Sequence, residues 1–399
     1  MPDVDVSSLA ERARAHGRLG IDTEFVPEGR YRPLLCLVQI VVGEEIVMLD
    51  PIGGEILGGL ASGGQVTPSG TPGFDPAPLA AVLADPEVEV VLHAGRQDVA
   101  LLRRCWDTDV TAVFDTQVAA GFAGFSAQAG YLGLLHDVLR IRLSKSASFT
   151  RWDQRPLTGE QLSYAAEDVE HLLALTDDLQ ARLEARGRLE WAREECRPIA
   201  AATDERDAGE VWRRLPRASG LDPHERAVVR ELAMWRERTA EREDRPVGSV
   251  LRDPSVVELA KRRPTDSGAL ANIRGIAPDV ARRRGKDIVA AIERGRHAEP
   301  IALASEERLA TESGDGPVIA LAESLVRTRA LEAGLAYELV AARADLSPVV
   351  VAVRRGLDPP PVRTLQGWRR ELVGNELLAL LSGDRTLSVS AGRVAVASG

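Results

Sequence analysis

The chain has 399 residues, of which 44% are hydrophobic and 28% charged, with a formal net charge of −10. That length calls for two or three domains, and that composition supplies packed cores and excludes a disordered chain. The acidic balance argues mildly against a nucleic-acid partner, but it is uneven: residues 205–300 carry 21 Lys and Arg against 17 Asp and Glu.

No apolar run is long enough to cross a bilayer, and the polar start "MPDVDVSSLAERARAHGRLG" lacks the apolar stretch of a secretion signal. Cys36, Cys105 and Cys196 are widely spaced, which suits neither a disulfide framework nor a zinc site. A cytoplasmic protein with no membrane partner is expected.

In chain order, "RLGIDTEFV", "LLCLVQIVV" and "EEIVMLD" read as strands, the last two joined by a tight turn at Gly43-Glu44. The Gly/Pro-rich stretch at about 53–76 reads as a flexible surface insertion. A short helix (77–84), a β-branched strand "VEVVLHAG", a helix from Gln97 to Arg104, a short strand around 110–114 and helices to about 183 complete an α/β section with one sheet. Residues 186–215 read as a charged helical connector. The basic section that follows is all-helical, and a looser linker separates it from a third helical section. The tail carries weak β signals or is disordered.

The chemistry gathers in the first section. In "RLGIDTEFV", strand alternation aims Asp22 and Glu24 to the same face of an otherwise apolar element. Two carboxylates that close are costly to bury unless something positive compensates. Asp98 falls in the first turn of the helix that follows "VVLHAG", where complementing the helix dipole would by itself explain it. In "PLTGEQLSYAAEDVEHLL", Thr158 and Gln161 form a capping box, and Tyr164 and Asp168 are four apart on one helix face. Each piece has an ordinary explanation alone. Together, four carboxylates are a set of hard oxygen donors suited to divalent cations.

The order DxE, HAGxxD, YxxxD resembles the tyrosine-bearing branch of the DEDD superfamily of 3′→5′ exonucleases, and within it the bacterial ribonuclease D family. The stretches "DTEFVPEGRYRPLLCLVQI", "VFDTQVAAGF", "SKSASFTRWDQRPLTGEQLSYAAEDV" and "LQGWRRELVGNELLALL" extend that resemblance along the whole chain. It implies an α/β fold: a ribonuclease H-like, mixed-sheet exonuclease domain over 4–184, followed by two all-α HRDC-type helical domains. The nucleic-acid-binding HRDC domain would span 218–298 and a divergent HRDC-like domain 316–384, with 385–399 as a tail.

Residue by residue, the resemblance implies two Mg²⁺ or Mn²⁺ ions. Asp22, Glu24 and Asp168 would hold the first, Asp22 would bridge to the second, and Asp98 would support the second partly through water. Tyr164 would orient the attacking water. Its phenol, with an ordinary pKa near 10, is too weak a base for proton abstraction. Phe25 is a candidate for stacking on a terminal base, and Lys145 and Arg155 for the phosphate backbone. In the HRDC-like section, Arg282, Arg283, Arg284 and Lys286 crowd a helix start and are expected to meet nucleic acid. His93 reads as structural. The expected protein is a monomeric 3′→5′ exoribonuclease that releases 5′-mononucleotides, with tRNA precursors as its RNA partners. The alternatives are a DNA-directed exonuclease of the same superfamily and a non-catalytic nucleic-acid-binding protein on a nuclease scaffold.

Overall fold

The computed structural model describes residues 5–61, 71–143, 151–302 and 311–398, and the chain divides into two compact units. One comprises residues 1–24, 36–203 and 307–399; the other comprises 25–35 and 204–306. No helix among the described residues is long and apolar enough to cross a membrane.

The first unit opens with α1 (Val6–His16), capped by Asp5, whose carboxylate accepts from the Ser7 and Ser8 amides. The strands β1 (Arg18–Val26), β2 (Leu34–Val42), β3 (Glu45–Asp50), β4 (Glu55–Ala61) and β5 (Thr71–Pro72) follow. Then come α2 (Ala77–Leu83), β6 (Glu89–Leu92), α3 (Arg96–Trp106), β7 (Val113–Asp115) and α4 (Thr116–Ala123). The seven strands make one mixed sheet in the order β5-β4-β3-β2-β1-β6-β7. β1, β6 and β7 run parallel, whereas β2 to β5 are joined antiparallel. β2 is apolar nearly throughout and lies inside the sheet, buried from Leu35 to Val42.

The stretch expected as a flexible insertion is in part a strand. β4 pairs with β3, and Ile56 and Leu57 are buried. Its few apolar residues, interrupted by Gly58 and Gly59, do not stand out from the turn-forming residues around them.

Beyond α4, the helices α5 (Tyr131–Leu134), α6 (Gly159–Glu170), α7 (Leu172–Glu184) and α8 (Leu189–Ala200) cover the sheet. The Thr158–Gln161 capping box is formed in both directions and starts α6. The expected single helix through 173 breaks at His171 into α6 and α7. Gly20 sets the approach of this helix pair to β1. A Cβ there would come within 2.5 Å of Val41 Cγ1 and 3.2 Å of Leu172, so a side chain would displace the start of α7.

The second unit is helical: α9 (Pro223–Arg242), α10 (Val247–Val250), α11 (Asp253–Arg262) and α12 (Pro278–His297). Val228, Leu232, Val256, Leu259, Ile288 and Ile292 form its core. Gly295 lets α12 lie against α9, since a Cβ there would sit 2.5 Å from Val228 Cα. The buried Arg236 guanidinium donates to Leu251 O and to Asp253. Residues 25–35 join this unit through Arg30–Asp244, at 2.8 Å, and Tyr31 Oη–Glu237, at 3.0 Å.

The chain then returns to the first unit as α13 (Asp315–Ala333), α14 (Tyr337–Val340), α15 (Arg343–Arg354), α16 (Gly367–Arg369) and α17 (Asn375–Ser382). This section, expected as a domain of its own, shares one core with α4 and α7. Phe122, Leu175 and Leu179 belong to the same apolar cluster as Ile319, Leu325 and Trp368. Trp368 packs edge-on to Phe122 at 5.0 Å, stacks on Trp191 at 5.2 Å and donates Nε1–H to Glu195. The tail is a hairpin of β8 (Arg385–Ser390) and β9 (Arg393–Ser398).

Candidate active site

β1 and α6 bring Asp22, Glu24 and Asp168 together, each offering a carboxylate oxygen within 4.8 Å of the others. The spacing follows from the elements: alternation on β1 puts the first two on one face, and the close approach at Gly20 seats the end of α6 opposite them. Asp98 enters in the first turn of α3 and is buried. It stands outside the three-residue cluster and accepts a hydrogen bond from Thr23 Oγ1, the residue between Asp22 and Glu24.

The electrostatics are those of acidic groups buried side by side. Burial raises the Asp22 carboxyl well above the usual carboxylate range, and Asp98, Asp168 and Glu24 push it the same way. Burial, then Asp168 and Asp98, carry Glu24 up to about 8. Burial and Glu167 carry Asp168 up to about 7. Burial also raises Asp98, against the Thr23 hydrogen bond. Neighbouring carboxylates thus reinforce desolvation, and a divalent cation would relieve both. The donors are all hard oxygens, which fits Mg²⁺ or Mn²⁺ better than a soft metal.

Tyr164 lies one turn before Asp168, half-buried, with its ring 6.2 Å from that of the buried Trp152. Burial and then the charges of Asp168, Glu24 and Asp22 raise its phenol further, so it stays protonated as a hydrogen-bond donor.

Three supports were not singled out from the sequence. Thr23 is one. Asp115 is another: it caps α4 through the Gln117 and Val118 amides and accepts from the Ala94 and Gly95 amides, fixing the turn that launches α3 and Asp98. An aspartate directly before an apolar helix is a cap signal that could have found it. The neighbouring Thr116 bonds His93 Nδ1 at 2.9 Å, and burial holds that imidazole neutral, as a structural role requires.

Asp50 is the third, and it corrects the reading of Arg155. The Arg155 Nε and Nη2 groups both donate to Asp50 at 2.5 Å, and the guanidinium also donates to the Trp152, Gln154 and Cys36 carbonyls. All five N–H donors are occupied, which leaves none for a phosphate. Arg155 instead ties the segment before α6, with Trp152, to the ends of β2 and β3.

Phe25 follows Glu24 on β1 and is half-buried. Lys145 lies outside the described residues. At the start of α12, Arg284 makes a two-pronged ion pair with Glu243 and Arg283 pairs with Asp279, so these two are engaged by protein carboxylates. Arg282 and Lys286 are exposed.

Residues 2–184 match the family described as 3′-5′ exonuclease, and residues 225–292 match the HRDC domain. The chain is 36% identical to ribonuclease D of Gluconacetobacter diazotrophicus, with 98% of this chain and 94% of the relative covered. It is 34% identical to ribonuclease D of Acidiphilium cryptum, with the same coverage. The crystal structure of Escherichia coli RNase D, described as an exoribonuclease involved in structured RNA processing, superposes with a TM-score of 0.78 at 29% identity, covering 94% of this chain and 96% of that one. A carboxylate cluster on a mixed sheet, an HRDC match later in the chain and relatives matched over nearly the whole length lead to one conclusion: the chain belongs to the ribonuclease D family and is a 3′→5′ exoribonuclease.

Proposed function

We propose that the protein trims the 3′ ends of structured RNA precursors, tRNA precursors foremost, releasing 5′-mononucleotides with the help of two divalent cations. The observation that carries the reading is the convergence of Asp22, Glu24 and Asp168 within 4.8 Å, with charges that oppose one another. Asp22, Glu24 and Asp168 would hold one cation, and Asp22 and Asp98 would serve the second. When bound, Mg²⁺ or Mn²⁺ would supply a hydroxide near neutral pH and stabilise the attacking and leaving oxygens of the phosphodiester.

The protein's own groups do the rest. Tyr164, held neutral beside Asp168, donates a hydrogen bond that orients the attacking water. Thr23 fixes the Asp98 carboxylate, and the Asp115 cap fixes the turn that delivers it. Trp152 backs the Tyr164 ring, and Asp50–Arg155 backs Trp152. Phe25, next to Glu24, is placed in sequence to meet the terminal base. A cytoplasmic monomer is consistent with this work, since the RNA would need only one set of carboxylates.

The test is digestion of a 5′-labelled tRNA precursor with a 3′ extension, beside an unstructured RNA and a DNA of equal length, with and without EDTA. The reading requires a ladder shortening from the 3′ end of RNA, 5′-mononucleotide product, and no cleavage in EDTA or by Asp168→Ala. Internal fragments, or equal trimming of DNA, would contradict it.

A further inference from the structure

In the helical unit, a cleft of about 770 Å³ opens beside α11. Five cations line it, Arg217, Arg252, Lys261, Arg262 and Arg274, against a single anion, Glu258. Arg262 and Glu258 answer each other at 2.5 Å. The other four side chains are exposed and have no ion pair or hydrogen bond to another side chain among the described residues. Several other arginines of the same unit are paired, Arg236 with Asp253, Arg284 with Glu243 and Arg294 with Glu231. In a chain whose 60 acidic residues outnumber its 50 basic ones, four unanswered cations around one concavity are a local field that only an anion neutralises.

The extent of the field indicates what kind of anion. Arg252 precedes α11 and Lys261 is near its end, so the cations span about 14 Å of helix rise. A single phosphate cannot reach both ends, whereas a run of phosphates can. Pro216, Pro254 and Val257 add apolar surface between the charges, suited to a sugar or base face. Arginine-rich walls match phosphate oxygens in geometry as well as charge.

We propose that this cleft grips the phosphodiester backbone of the RNA, and that it, rather than the start of α12, is the nucleic-acid surface of the HRDC unit. The proposal rests on the reading of the protein as an RNA-trimming enzyme and adds a second binding site, with residues of its own, to the catalytic carboxylates. Contact is to phosphates, so the cleft holds a chain without reading its bases.

The test uses the full chain and two double variants, R252Q/R274Q and R217Q/K261Q. All four residues are exposed, so the substitutions leave the fold intact. Binding of a labelled stem-loop RNA with a 3′ extension is measured in EDTA across a salt series, beside DNA of the same sequence. Each double variant should lose at least about tenfold in affinity, and the slope of log K against log salt should drop by about two, one for each cation removed. With metal present, KM for that RNA should rise at unchanged kcat. Loss on both RNA and DNA supports a cleft that holds phosphates alone, and loss on RNA alone supports one that also senses the sugar. Unchanged affinity and slope in both variants would overturn the proposal, as would a loss accompanied by a lowered melting temperature. If the wild type trims no RNA yet the variants lose binding, the enzymatic reading fails and the cleft stands.

Discussion

At the scale of single residues, the site is a set of carboxylates held where they repel one another. Replacing one by its amide should therefore stabilise the metal-free protein while removing its function. For Asp22→Asn, a calorimetric scan in EDTA should show a melting temperature about 2–4 °C above wild type, the shift expected for roughly 1 kcal/mol in a unit of this size. The same variant should lose the stabilisation that millimolar Mn²⁺ gives the wild type. A lower melting temperature in EDTA would mean that Asp22 is not under strain.

The pH dependence follows from the same groups. Glu24 and Asp168 ionise at ordinary carboxylate values when unfolded but near 8 and 7 in the fold. The folded state therefore binds more protons across that window, and the stability these groups contribute falls as pH rises through it. Metal competes with those protons, so the Mn²⁺-induced rise in melting temperature should grow from pH 5 to pH 8. A metal effect that is flat across that range would contradict the account. Tyr164→Phe removes a donor and no charge; it should lower kcat by about a hundredfold with the metal-induced shift intact.

At the scale of elements, what matters is how the strand and helix ends are tied together. The Asp50–Arg155 pair joins the ends of β2 and β3 to the segment that leads into α6, and through Trp152 it sets the ring of Tyr164. Arg155→Met leaves the buried Asp50 carboxylate with the Ile52 and Gly53 amides but without a counter-charge, which should cost about 3 kcal/mol in urea titrations. Arg155→Lys should restore little, because three donors from one nitrogen cannot serve two carboxylate oxygens and three carbonyls. Full stability in Arg155→Lys would show that charge alone suffices.

Legibility from sequence divides along this line. The shared face of Asp22 and Glu24, the place of Asp98 in a helix's first turn and the shared helix face of Tyr164 and Asp168 could be read because alternation on a strand and a four-residue helical interval are local rules. Arg155 could not be read correctly, because its partner Asp50 is 105 residues away. The ion pair of Arg284 with Glu243, at a separation of 41, was hidden for the same reason. β4 was missed because glycine weakens a strand signal whether or not a neighbouring strand is waiting to pair with it.

At the scale of the whole molecule, apolar periodicity gave the helices of the C-terminal section but not what they pack on. That section shares a core with the sheet-covering helices and is pinned by Arg369, which clasps Glu195 through two nitrogens at 2.5 and 2.7 Å. Trp368→Ala would hollow this junction and should destabilise the first unit by about 3–5 kcal/mol. The loss should appear as a lowered midpoint for unfolding of the catalytic unit, because the two share one apolar cluster. If the Trp368→Ala protein melted in two steps, with the metal-stabilised step unmoved, the shared core would be refuted.

The central claim is that carboxylates remote in sequence form one cation site. Crystals of the protein grown with Mn²⁺ and measured at the manganese edge test it most directly. The account predicts anomalous density among Asp22, Glu24 and Asp168, with oxygen ligands at about 2.1 Å, and none there in Asp168→Ala. Manganese bound only elsewhere on the chain would contradict it.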